Sequence, residues 1–207
     1  MPEKTTPTRH GSNRADPRNP FVIDIREVGR RPGSMREYRR SVPAPTGLAL
    51  DLIGVPQGAP LAVDIRLESV TEGVLVTGSA TGPLTGECGR CLDPVSDELI
   101  VDFCELFAYP DSATDETTEQ DEVHRLDGDY LDVEPVVRDA VVLGLPFAPL
   151  CRPDCPGLCP TCGQRLDGLP PGHTHDVLDP RWAALAAFTD AAEHDPEAPA
   201  EVPDQLD

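Results

Sequence analysis

The chain has 207 residues, 39% of them hydrophobic but only 4% aromatic, with 24 prolines and a net charge of −20. That length fits one ordinary domain with appendages, and so small an aromatic share predicts a modest core that cross-links would help to hold. A body this acidic repels phosphate backbones and is a poor candidate for binding nucleic acid without sequence preference, and no apolar run approaches the roughly 20 residues that span a bilayer.

Residues 1–20 are rich in Thr, Pro, Arg and Asn and contain no apolar segment of the kind found in a secretory leader. They are predicted to be a disordered basic arm on a cytoplasmic protein. Residues 1–40 carry ten Lys/Arg against five Asp/Glu, and the remainder carries seven against thirty-two. The arm, with Arg26, Arg30, Arg31, Arg36, Arg39 and Arg40, is thus the only part electrostatically suited to touch RNA, while the acidic body suits a basic protein. Solubility accounts for both charge blocks equally well.

A body is predicted over 21–150. It opens with a short strand, Phe21 to Ile25, followed by a basic stretch through Arg40. Leu61, Val63, Ile65 and Leu67 alternate with Ala62, Asp64, Arg66 and Glu68, the pattern of a half-buried strand. Glu72-Gly73 offers a turn into Val74-Leu75-Val76-Thr77, which runs on towards Cys88. After Pro94 one face reads Val95, Leu99, Val101, Phe103 and Phe107, with Cys104 on the other beside Ile100 and Leu106. Cys104 is expected to be a small buried hydrophobe. Pro110 to Glu122 holds six acids and no base and is expected to be a loop. Tyr130 to Leu145 is predicted helical, with Asp132 as cap, Pro135 in the first turn and an apolar stripe of Val133, Val136, Val137, Ala140 and Val141. A second helix is predicted from Asp179-Pro180, with Trp182, Leu185, Ala186 and Thr189 on one face. Residues 151–190 hold this helix and a cysteine-rich segment, and 191–207 form a disordered acidic tail. The fold class is α+β: a mostly antiparallel sheet, one packed helix, a zinc-knuckle segment and a short C-terminal helix.

Eight soft ligands fall into pairs with metal spacing: Cys88 with Cys91, Cys151 with Cys155, Cys159 with Cys162, and His173 with His175. A C-x-x-C turn aims two thiolates at one point, and a glycine such as Gly163 after it lets the backbone turn beneath the metal. In a reducing compartment such clusters point to zinc rather than to disulfides, and the odd total of seven cysteines agrees. Two groupings compete. Cys151, Cys155, Cys159 and Cys162 can share one ion, which leaves Cys88 and Cys91 without partners. Alternatively Cys88, Cys91, Cys151 and Cys155 form one site and Cys159, Cys162, His173 and His175 another. The second is preferred, because it fills two tetrahedra and uses the i, i+2 histidine pair of an extended segment. Four protein ligands close a zinc site and make it structural, one or two ions in all. No H-E-x-x-H, G-x-S-x-G or phosphate-cradling glycine loop appears, so the chain is read as no enzyme.

Several of these segments occur together in a known family. Cys88-Gly89-Arg90-Cys91-Leu92-Asp93-Pro94, then Asp139 to Pro146 with Pro149, then the run from Cys151 to Gly163, then Asp179-Pro180-Arg181-Trp182-Ala183-Ala184-Leu185 resemble, in matching order, the YceD family of bacterial and plastid proteins. The likeness spans roughly residues 21–190. It implies a part in the accumulation of large-subunit (23S) ribosomal RNA, as a non-enzymatic accessory that binds a basic ribosomal protein or a precursor particle. The chain departs from the pattern at His173-Thr174-His175, where many relatives carry C-x-C, an exchange zinc accepts. It departs again at Gln164-Arg165-Leu166-Asp167, where the family usually shows N-L-N. A zinc-dependent hydrolase of nuclease type, needing an open coordination position, and a zinc- or redox-responsive regulator, needing a basic DNA-reading helix, are the competing readings.

Overall fold

The computed structural model describes residues 15–110, 112–119 and 123–175. The chain divides into two compact units, Met1–Gly157 and Leu158–Asp207.

The first unit is built on one sheet. Strands β2 (Met35–Pro43), β4 (Pro60–Ser69), β5 (Gly73–Glu87) and β6 (Pro94–Ala108) lie side by side in antiparallel order. The short β3 (Ile53–Gly54) adds to β5, and β7 (His124–Arg125) runs parallel to the end of β6. A separate ribbon pairs β1 (Val22–Asp24) with β8 (Tyr130–Asp132), in the register Ile23 to Leu131. The period-two pattern of β4 is realised residue by residue: Leu61, Val63, Ile65 and Leu67 are buried, and their neighbours Ala62, Asp64 and Arg66 are exposed. Beside them on the same face, β5 and β6 contribute Val74, Val76, Leu84, Leu99, Phe103 and Phe107. Helix α2 (Glu134–Gly144) adds Val136, Val137 and Val141 to this core, and the ribbon adds Ile23 and Leu131. Each such side chain contributes about 1.5–3 kcal/mol when fully buried. The opposite face of the sheet is polar and solvent-exposed along β4, as expected for an antiparallel sheet covered on one side.

Four expectations from the sequence are corrected. The helix begins at Glu134 rather than Tyr130, because Tyr130–Asp132 is drawn into the ribbon with β1. Its N-cap is accordingly Val133, without a side-chain capping bond, rather than Asp132, whose carboxylate accepts the Glu134 N–H at 2.9 Å from one position earlier. The basic stretch before Arg40 is strand β2, whose pairing with β4 overrides its polar composition. Cys104 is exposed, not buried: it lies on the outer sheet face, 3.7 Å from the Thr77 hydroxyl. The acidic stretch after Pro110 contains a short helix, α1 (Ala113–Thr117), capped by the Ser112 hydroxyl and joined to Arg125 through Asp115. The helix predicted from Asp179 and the tail 191–207 lie outside the described residues. No helix among the described residues is long and apolar enough to cross a membrane.

Candidate metal centres

The eight candidate ligands gather in two groups of four. Cys88, Cys91, Cys151 and Cys155 form the first, in the first unit; Cys159, Cys162, His173 and His175 form the second, in the second unit. Within each group the donor atoms lie within 4.8 Å of one another, close enough to serve one ion. This is the grouping that fills two tetrahedra. Both donor sets, four thiols in one and two thiols with two imidazoles in the other, fit a closed tetrahedral metal.

The first group closes the tip of the β5–β6 hairpin onto the segment that follows α2. Cys88 and Cys91 sit in the hairpin turn, where the Cys88 N–H donates to the Asp93 carbonyl at 2.8 Å and the Leu92 N–H to the Cys88 carbonyl at 2.9 Å. The Gly89 N–H reaches the Pro149 carbonyl at 2.8 Å, which brings Cys151 and Cys155 to the turn. Cys88 Sγ lies 3.8 Å from Cys155 Sγ, and Cys91 Sγ 3.6 Å from Cys151 Sγ. Three of the four thiols are buried; only Cys151 is exposed. Arg90 donates from Nη1 to the Cys155 carbonyl at 2.8 Å. Gly157, at φ 80°, passes so near that a Cβ there would stand 3.0 Å from the Arg90 carbonyl oxygen.

The second group repeats the same turn. The Cys159 N–H donates to the Gln164 carbonyl at 2.8 Å, and the Gly163 N–H to the Cys159 carbonyl at 2.8 Å. Cys88–Asp93 and Cys159–Gln164 are therefore two copies of one knuckle, each with its last turn residue in the left-handed region. Gly163 has φ 69°, where glycine is at ease, but the matching residue in the first knuckle is Leu92, at φ 62°. A 3₁₀ turn, Leu166–Gly168, and Gly172 at φ 82° return the chain so that His173 Nε2 lies 3.6 Å from Cys162 Sγ. The His173 and His175 rings meet edge to face, 4.5 Å between centroids.

The turns also set the charge of the thiols. The Cys88 thiol is lowered to about 6, first by the Cys151 N–H and then by those of Cys91 and Arg90, which outweigh burial. The Cys159 thiol is likewise lowered to about 6 by the N–H groups of Cys162 and Thr161. For Cys91 the Asp93 N–H favours the thiolate, but burial and the neighbouring Cys88 outweigh it and push the thiol up to about 12. Each knuckle thus holds its first cysteine ready as a thiolate, the form that ligates metal.

The arginines assigned to the N-terminal arm lie largely on the body and are largely engaged there. Arg26 chelates Asp24, whose carboxyl it holds below the usual range. Arg30 stacks over the Tyr109 ring at 4.7 Å, and Arg39 pairs with Asp64 at 2.9 Å. Arg40 donates to the Pro20 and Val22 carbonyls, and Arg36 to the Met35 carbonyl. Sequence reasoning missed Arg90 as a brace of the first group, although it stands between the two cysteines. It also missed the exposed Leu143 and Phe147 at the exit from α2, which no periodicity distinguishes from core residues.

Comparison with known proteins places this geometry. Residues 76–189 match the model of a family described as large ribosomal RNA subunit accumulation protein YceD. The chain belongs to the YceD family. The matched stretch begins in β5 and takes in both knuckles. An uncharacterised protein of Mycobacterium tuberculosis is 56% identical over 167 residues, 81% of this chain and 80% of that relative. Another, of Mycobacterium leprae, is 49% identical over 168 residues, 81% and 76% of the two chains. The uncharacterised protein YlbN of Bacillus subtilis is 27% identical over 128 residues, 61% of this chain and 73% of its own. No solved structure matches this one.

Proposed function

We propose that this protein is a non-enzymatic accessory factor for assembly of the large ribosomal subunit, acting in the cytoplasm to support accumulation of 23S rRNA. The observation that carries the reading is the match to the YceD family model across both knuckles. The factor would act by holding a basic ribosomal protein or a precursor particle against its acidic body. The charge supports this: outside residues 1–40 the chain carries seven Lys/Arg against thirty-two Asp/Glu. Each four-ligand group would hold a zinc ion as a structural clamp, since four protein donors leave no position for a reacting water. Contact with rRNA would fall to the basic N-terminal residues. Depletion of the protein in cells tests the function: the ratio of 23S to 16S rRNA should fall, and an unchanged ratio overturns it. Binding to basic ribosomal proteins should weaken steeply with added salt, because exposed charge pairs are screened within about 8–10 Å at physiological ionic strength.

A further inference from the structure

Strand β6 is paired with β5 along its whole length, from Pro94 to Ala108, but on its other side it meets β7 only at Phe107 and Ala108. From Val95 to the Leu106 N–H no strand among the described residues pairs with that outer edge, and the Phe107–His124 pairing takes up the Leu106 carbonyl. The direction of its peptide groups can be read from its ends. The Ala108 carbonyl accepts from Leu126, and the Glu98 N–H turns back onto the Asp97 carboxylate, so both point away from β5. Alternate residues of an antiparallel strand share an edge, so Ile100, Asp102 and Cys104 also present their N–H and C=O groups outward, and Leu106 its N–H. Folded proteins rarely leave so long an edge unblunted, for it is a template for another strand. β6 has no proline between its ends and no Lys or Arg. It carries Asp97, Glu98, Asp102 and Glu105, none in an ion pair among the described residues. Ile100, 66% exposed, adds an apolar contact in the middle of the stretch.

The other long edge of the sheet is its electrostatic opposite. β2 bears Arg36, Arg39 and Arg40 against Glu37, so it repels a basic segment. Tyr38 and Arg40 reach from it to carbonyls of Pro20, Val22 and Asp24. Residues 176–207 are themselves acidic, with Arg181 their one Lys or Arg, and are ill matched to β6.

We propose that the open edge of β6, from Val95 to Leu106, is the docking site for an extended basic segment of a partner protein, which adds to the sheet as a further strand. Backbone hydrogen bonds to Ile100, Asp102, Cys104 and Leu106 hold it, and the four carboxylates select lysine- and arginine-rich sequence. The inference rests on the reading that the partner is a basic ribosomal protein, and the experiment separates the two. The full-length, metal-loaded chain is mixed with RNA-free total protein of a bacterial large subunit, and the protein it retains is identified and titrated. Ile100→Pro removes one outward N–H and tolerates an edge position without losing a ladder bond, so the sheet is kept. It should weaken binding about tenfold or more, the effect of losing a central backbone bond and its neighbours. Amide exchange supplies the second measurement, which stands even if that variant fails to fold: Ile100, Asp102, Cys104 and Leu106 of the wild-type chain should become protected when the partner is added. If the wild-type chain retains no ribosomal protein, the partner reading itself fails and this one with it. If it binds one, but Ile100→Pro binds as well or the four amides stay unprotected, the edge is not the site. Protection of those amides in the protein alone, by its own N-terminal residues or by a second copy, likewise overturns the proposal.

Discussion

Removal of Cys151 gives a direct measure of what the first metal group contributes to the fold. Cys151 is the exposed member of the group, so Cys151→Ala costs little packing and acts through ligation. The link it helps to make joins residues 60 apart in sequence, from Cys91 to Cys151. Closing a loop of that length removes chain entropy worth about 4 kcal/mol from the unfolded state. In the second unit, Cys162 and His173 are only 11 apart, and the same relation gives about 3 kcal/mol. For a chain of this size each kcal/mol moves the melting temperature by about 2–4 °C, so complete loss of the first link lowers it by roughly 8–16 °C. The assay is thermal unfolding, followed by the sheet signal in circular dichroism, of the zinc-loaded protein, the chelator-stripped protein and zinc-loaded Cys151→Ala. Stripping should produce the full shift, and the variant a large part of it, with chelator adding correspondingly less to the variant than to the wild type. A wild-type protein that unfolds at the same temperature with and without metal, and a variant that unfolds with it, would refute a structural clamp.

Leu92→Gly should raise stability by about 0.5–1 kcal/mol, since it places at φ 62° the residue type that Gly163 already supplies in the second knuckle; a loss of stability in denaturant titration contradicts the equivalence of the two turns. Gly144→Ala should destabilise by about 1–3 kcal/mol, against the usual helical preference for alanine, because the new Cβ would stand 2.4 Å from Val101 Cγ1. His173→Ala should reduce bound zinc from two ions to one per chain, read by elemental analysis, and an unchanged count removes the second site. The pH dependence of the stripped, reduced protein has a sign fixed by the knuckle thiols. With Cys88 lowered from about 9 to about 6, its contribution is complete above pH 9 and is lost as pH falls through 6. With Cys91 raised to about 12, stability declines again above pH 9, so the melting temperature should pass through a maximum near there.

Much of the sheet was legible because burial on one face imposes a strict two-residue period, and Leu61 to Leu67 obey it without exception. The gathering of the cysteines and histidines into two groups of four was legible for a related reason: a shared metal would demand short, fixed spacings, and spacing survives in a linear sequence. What sequence could not show was decided by partners far along the chain. Tyr130 to Asp132 read as helix because Val133 to Val141 behind them are helically spaced, yet Val22 to Asp24, more than a hundred residues earlier, pull them into a ribbon. Cys104 read as buried because a free cysteine packs as a small hydrophobe and its face also carries Ile100 and Leu106, but no second layer covers that face among the described residues. The role of Leu92 was hidden for another reason: a left-handed leucine leaves no trace in composition, and only its bond to the Cys88 carbonyl, the counterpart of that from Gly163 to Cys159, reveals it.

The span between the halves of the first metal group has a consequence for how the protein is made. Cys88 and Cys91 leave the ribosome with their hairpin, but Cys151 follows Cys91 by 60 residues. At about 5–20 residues per second, synthesis leaves the hairpin's two thiols waiting roughly 3–12 s for their counterparts. During that interval the nascent chain carries half a site, open to oxidation or to a borrowed ion. Capture by four ligands would come only after α2 has been made and the chain beyond it has returned to the hairpin tip. Metal uptake at this group would therefore be a timer that runs out only on a completed first unit, and a chain truncated before Cys151 would keep two thiols without their counterparts.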